Sequence, residues 1–167
     1  GERMMQNVKD SFYIALRDRL AIRNPDRKVV VGGEERPAIV VAENEFVAAG
    51  SSLLEVFHLK WSKTSVVTGD EPAPMLQIQC EISYCTEGSD DLNAQDRGRV
   101  LAAMDAELLD ICRPGRTEIE DFTQLPPFSA GTTLFWSLPQ LGEIEDAGPR
   151  LSRTAAVEMY AIAERGI

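Results

Sequence analysis

One histidine, three cysteines, no long hydrophobic run and a minority of basic side chains mark this 167-residue chain, and each shortage excludes a class of chemistry. His58 is the sole histidine, so every role of a Ser-His-Asp machine would fall on it, and Gly50-Ser51-Ser52 does not make the Gly-x-Ser-x-Gly elbow of a hydrolase. No catalytic residue is assigned. Cys80, Cys85 and Cys112 are too few and too oddly spaced for a disulfide framework, and without a Cys-x-x-Cys pair or clustered histidines they make no zinc site. A reducing compartment is the expectation, with Cys80 and Cys112 acting as small hydrophobes and Cys85 on the polar side of its strand. No stretch approaches the roughly 20 apolar residues that span a bilayer, so no membrane partner is expected. Seventeen basic against 27 acidic side chains give a formal charge of −10, which repels phosphate and argues against tight nucleic-acid binding.

Cofactor signals are missing as well. Gly32-Gly33 is followed by no Gly-Lys-Ser/Thr, and the acidic turn Glu87-Gly88-Ser89-Asp90-Asp91 would repel a pyrophosphate, so no nucleotide cofactor is expected. Asp105, Glu107 and Asp110 invite a metal reading, but 105 and 107 point to different sides of a helix; a solvated face is expected there and no metal is assigned.

What is present describes one α+β domain over residues 1–167, a usual single-domain length, with Gly1 set aside as the scar of a removed tag. Val8, Phe12, Ala15, Leu16 and Leu20 recur at helical spacing and predict a helix over 5–23, stopped by Asn24-Pro25. Lys28–Val31 and Ala38–Ala42 read as a hairpin about the Gly32–Pro37 reversal. Residues 53–61 read as a half-buried strand, with Phe57, Leu59 and Trp61 on one face and His58 and Lys60 on the other. Leu76, Ile78, Cys80, Ile82 and Tyr84 alternate with polar partners, the clearest period-two signal in the chain. Val100, Leu101, Met104, Leu108 and Ile111 stripe a helix placed at 92–112, and 154–164 reads as a last strand, with a helix as the alternative. The whole is a mainly antiparallel sheet of four to six strands packed against two main helices. Residues 113–150, rich in Pro and Gly, read as an irregular connection in which Leu134 and Trp136 form a further strand and Phe128 plugs the core; the alternative is that its aromatics make a subunit contact.

The stretch Met75-Leu76-Gln77-Ile78-Gln79-Cys80-Glu81-Ile82-Ser83-Tyr84, a turn, and Arg99-Val100-Leu101-Ala102-Ala103-Met104, set in this order of elements, resembles the tail terminator (tail completion) proteins of long-tailed bacteriophages. The chain departs from them in its long Pro-rich 113–150 segment. The resemblance implies a non-enzymatic ring, typically of six subunits, that caps a tail tube and meets the head-connector proteins. It implies a place in the bacterial cytoplasm during assembly and then in a virion or tail-like particle. Its acidity would let DNA pass without adhering. Ring closure needs two different patches per subunit, and the hairpin at 28–42 and the segment 122–136 are the expected ones, with Val30, Ile39, Phe122, Phe128 and Trp136 as candidate contacts. The competing expectation is a ligand- or peptide-binding domain with His58, Trp61 or Tyr84 at the mouth of a cleft between sheet and helices.

Overall fold

Residues 2–45, 53–67 and 75–162 are described by the computed structural model. Helix α1 (Glu2–Arg23) begins a turn earlier than its apolar pattern predicts, because Met4 extends the buried stripe of Val8, Phe12, Leu16 and Leu20. The Asn24 N–H still reaches the Leu20 carbonyl at 2.9 Å, and Pro25, having no N–H, ends the run.

The hairpin differs from the expectation. Strand β1 (Lys28–Val31) pairs with β2 (Glu34–Pro37) in the register Lys28↔Pro37, with Gly32 and Gly33 at φ +59° and +80°. A two-residue turn of positive φ fixes that register, so the polar run first read as part of the loop is the true partner. Ile39–Val41 instead forms β3, which enters the main sheet parallel to β4 (Phe57–Val67) as Ile39↔Phe57. Its unbroken apolar run reflects burial on both faces: Ile39 and Val41 face the main core, while Ala38, Val40 and Val56 pack with Val29, Val31 and Leu53 beneath the hairpin.

Strand β5 (Met75–Thr86) alternates as predicted and pairs with β4. A 3-10 turn at Asp90–Leu92 precedes α2 (Arg97–Ile111), which starts later than position 92 because Asn93 and Ala94 adopt φ of 49° and 63°, outside helical space. The Asp96 carboxylate accepts the Ser89 N–H at 2.8 Å and closes this turn. The supposed irregular connection holds two long strands, β6 (Arg116–Asp121) and β7 (Phe128–Trp136), and two short ones, β8 (Gln140–Leu141) and β9 (Glu145–Ala147). The chain ends in β10 (Arg150–Ile162), a strand and not a helix, antiparallel to β5 from Leu151↔Thr86 to Ile162↔Met75.

The architecture is therefore α+β with two helices and a mixed sheet of eight strands, ordered β3-β4-β5-β10-β7-β6, with β8 and β9 also paired to β10. Among the described residues, only β3–β4 is parallel. Both helical stripes lie on one sheet face, where Ile78, Cys80, Ile82, Leu134, Val157 and Met159 are fully buried. The opposite face is polar: Gln77 and Gln79 donate to Glu158, Ser83 bonds Thr154, and the Phe135 and Tyr160 rings stack at 5.4 Å.

Helix α1 reaches both outermost strands of this sheet. Ser11 Oγ accepts the Glu120 N–H of β6 at 3.0 Å, and Tyr13 Oη donates to the Ile39 carbonyl of β3 at 3.0 Å. Six strands laid flat would span roughly 24 Å, about twice a helix diameter, so the sheet must curve around α1. Phe12, between those two residues in sequence, packs edge-on to Trp136 of β7 at 5.3 Å and Trp61 of β4 at 6.3 Å.

Candidate functional site

The five residues expected at an interface divide between surface and core. Val30 on β1 is 63% exposed and Phe128 at the start of β7 is 69% exposed, whereas Ile39 and Trp136 are buried and Phe122 is half-buried. Trp136 is fixed internally: its Nε1–H donates to the Cys112 carbonyl at 3.2 Å, and the Arg19 guanidinium lies 5.0 Å from its ring centroid. Phe128 does not plug the core, because the rigid pair Pro126-Pro127 carries the chain outward at the β6–β7 turn. Leu125, in the same turn, is 96% exposed, the most of any large apolar side chain described. The turn is anchored where Asp121 accepts the hydroxyl and N–H of Thr123, bonds that hold its carboxyl below the ordinary value. Leu125-Pro126-Pro127-Phe128 is thus a contiguous apolar tip on an ordered base.

Asp105, Glu107 and Asp110 are not one solvated face. Glu107 is 4% exposed and accepts from both Asn24 and Arg27, which arrive from the end of α1. Asp105 accepts the Tyr84 hydroxyl and lies against the Arg153 guanidinium at 3.1 and 3.2 Å. Burial, then this bond to Asp105, raises the Tyr84 pKa far above its ordinary value, so the phenol stays protonated as a donor. Asp110 alone matches the solvated reading, shared by Arg23 at 3.1 Å and Arg113 at 3.3 Å near the surface. The pairing arginines lie far off in sequence, so no local spacing announced them.

Among the described residues, no group of three or more His, Cys, Asp or Glu is placed to hold a metal ion. All three cysteines are buried. Burial drives the Cys80 thiol well up and pushes Cys112 up to about 12, far from thiolate reactivity. Cys85 departs from its expected polar side, lying under the turn at Leu53 with Sγ 3.9 Å from that carbonyl.

His58, Trp61 and Tyr84 do not share a cleft. His58 is half-buried with Nε2 3.5 Å from the Leu53 carbonyl, and burial lowers its pKa. Trp61 lies under Lys9, and Tyr84 is in the core. Two concave surfaces lie elsewhere. A groove of about 660 Å³ runs between the C-terminal ends of the two helices, lined by Arg19, Ile22, Arg23, Asp110, Arg113 and their neighbours, and a depression of about 550 Å³ lies beside Glu55, Glu87 and Asp90. Ile22, 83% exposed on the groove wall, is a surface residue the helical pattern did not single out, although it falls off the buried stripe. No helix is long and apolar enough to cross a membrane among the described residues. No protein-family model matches the chain, and no curated protein matches it.

Proposed function

We propose that the protein is a non-enzymatic assembly protein, a ring-forming subunit of the kind that terminates phage tails, working in a virion or tail-like particle with tail-tube and head-connector proteins as neighbours. The observation that carries this reading is the tip Leu125-Pro126-Pro127-Phe128. Isolated surface apolar residues are ordinary, but here four adjacent apolar residues project from an ordered hairpin, with Leu125 and Phe128 96% and 69% in water. Val30 adds a second apolar point on a separate hairpin. Two unlike patches on one subunit are what head-to-tail ring closure uses. The net charge of −10 suits a lumen through which DNA passes without sticking.

Sedimentation velocity over a concentration series tests this. A closed species of several subunits is expected, and Leu125→Ser with Phe128→Ser should dissociate it while leaving the unfolding midpoint nearly unchanged, since neither side chain belongs to the core. A monomer at every concentration overturns the reading.

A further inference from the structure

Two patches of opposite charge flank helix α2, and each includes an exposed apolar side chain from a neighbouring segment, Ile22 of α1 in one and Ile144 in the other. At the C-terminal end of α2, the groove holds three guanidiniums, Arg19, Arg23 and Arg113, against the single carboxylate of Asp110, with Ile22 as an apolar wall. Arg19 is engaged inward, donating to the Ile111 carbonyl at 2.9 Å, but Arg113 is three-quarters exposed and Arg23 nearly half. At its N-terminal end, Arg97 pairs with Asp146 of β9 at 3.2 Å and donates to the Gly148 carbonyl of the β9–β10 turn at 2.9 Å, which holds β9 against the helix. Glu143 and Ile144 of the β8–β9 loop and Glu145, the first residue of β9, are all exposed, and neither glutamate has an ion-pair partner among the described residues.

We infer that the acidic segment Glu143-Ile144-Glu145 of one copy docks into the arginine groove of a second copy. Charge complementarity selects this occupant. In a chain of formal charge −10 the groove is a local cationic site, and the loop offers the opposite sign together with an isoleucine to lie against Ile22 and Pro114. Guanidinium and carboxylate also match in geometry, because the planar fork can bind two oxygens at once. The placement matters as much as the charge. The two patches are different surfaces of one subunit, so a head-to-tail contact between them repeats in one direction and forms a ring where its rotation closes.

This contact rests on the self-assembly reading above, and charge reversal separates the two. In sedimentation velocity of the full chain at low salt, Arg23→Glu with Arg113→Glu should weaken association on the order of 100-fold, and Glu143→Lys with Glu145→Lys should do the same. Mixing the two variants should restore a species of alternating composition, because the reversed groove of one meets the reversed loop of the other. Restoration also shows that both variants are folded. Raising salt from about 0.1 M to about 1 M, where the screening length falls from about 10 Å to about 3 Å, should weaken the wild-type assembly. If the wild type assembles and the reversals leave it unchanged, or the mixture fails to recover, this contact is overturned while self-assembly stands. If the wild type remains monomeric, both fail.

Discussion

Glu107 and Asp110 lie about one turn apart on the same helix, and each meets arginines, yet one is sealed in the fold and the other is open to water. Around Glu107 the end of α1 and the chain at Arg27 close over the pair, so its carboxylate can trade hydration only for the Asn24 and Arg27 donors. Around Asp110, Arg23 and Arg113 remain hydrated at the groove. The lesson is that a carboxylate's neighbours in sequence do not set its role; what covers it does. A sealed pair ties distant segments together, while an open pair leaves charge available to a visitor.

Replacing Glu107 by Ala should sharpen this contrast most, because it removes the close partner of the largely buried Arg27 guanidinium and leaves it only Glu55 at 3.8 Å. A loss of about 3–5 kcal/mol is expected by chemical denaturation. A loss under about 1 kcal/mol would mean the site admits water and the contrast is false. Tyr84→Phe comes next. It removes a buried hydroxyl from Asp105 but leaves Arg153 in place, so a loss of about 1.5–3 kcal/mol is expected for a bond to a charged acceptor, read from the same denaturation curves. Asp110→Ala should change stability by less than about 1 kcal/mol, and that small effect should vanish in high salt; a large, salt-independent loss would break the comparison from the other side.

His58 applies the rule to a cation and gives the smallest effect. Burial lowers its folded pKa below the ordinary 6.5, so on acidification the unfolded chain takes up the proton first. Stability is therefore retained above 6.5, lost as pH falls through that value, and lost no further once the folded imidazole is also protonated. Between about pH 8 and pH 5 the wild type should lose stability relative to His58→Gln, as followed by thermal unfolding. Parallel curves would show that the ring is fully hydrated.

The sequence made the inner sheet face and the first helix readable because their signals are local. The alternation from Leu76 to Tyr84 and the four-residue steps from Val8 to Leu20 each report one buried face, and both lie where they were placed. The terminal strand was legible only by composition, from Val157, Tyr160 and Ile162, and its alanines left a helix open; the alternation of buried Val157 and Met159 with half-buried partners emerges once β5 lies beside it. Elsewhere the deciding partner was remote or the pattern was diluted. Glu34–Pro37 is a strand without a β-like composition, held by the two-glycine turn and by β1. In β6 the alternation rests on Ile119 and Asp121, too little to stand out among charged residues. Ile39, expected at a contact, is buried because β4 pairs beside it, and Phe128, read both as a core plug and as a contact, is exposed because the prolines carry it outward. The groove at Arg23 and Arg113 joins the ends of two helices about 90 residues apart in sequence, a proximity that only the packed structure creates.

The bonds from α1 to β3 and β6 bear on how such a molecule avoids runaway polymerisation. Ser11 occupies the Glu120 N–H, Tyr13 occupies the Ile39 carbonyl, and the Val41 carbonyl is taken by the amides of Asn44 and Glu45. The helix and the turn after β3 thus close these main-chain positions at the two outer strands to a stranger's strand. In the self-assembly proposed above, copies would then recognise one another through side chains, whose complementarity can be satisfied once and finished, and not through a ladder that could be extended without end.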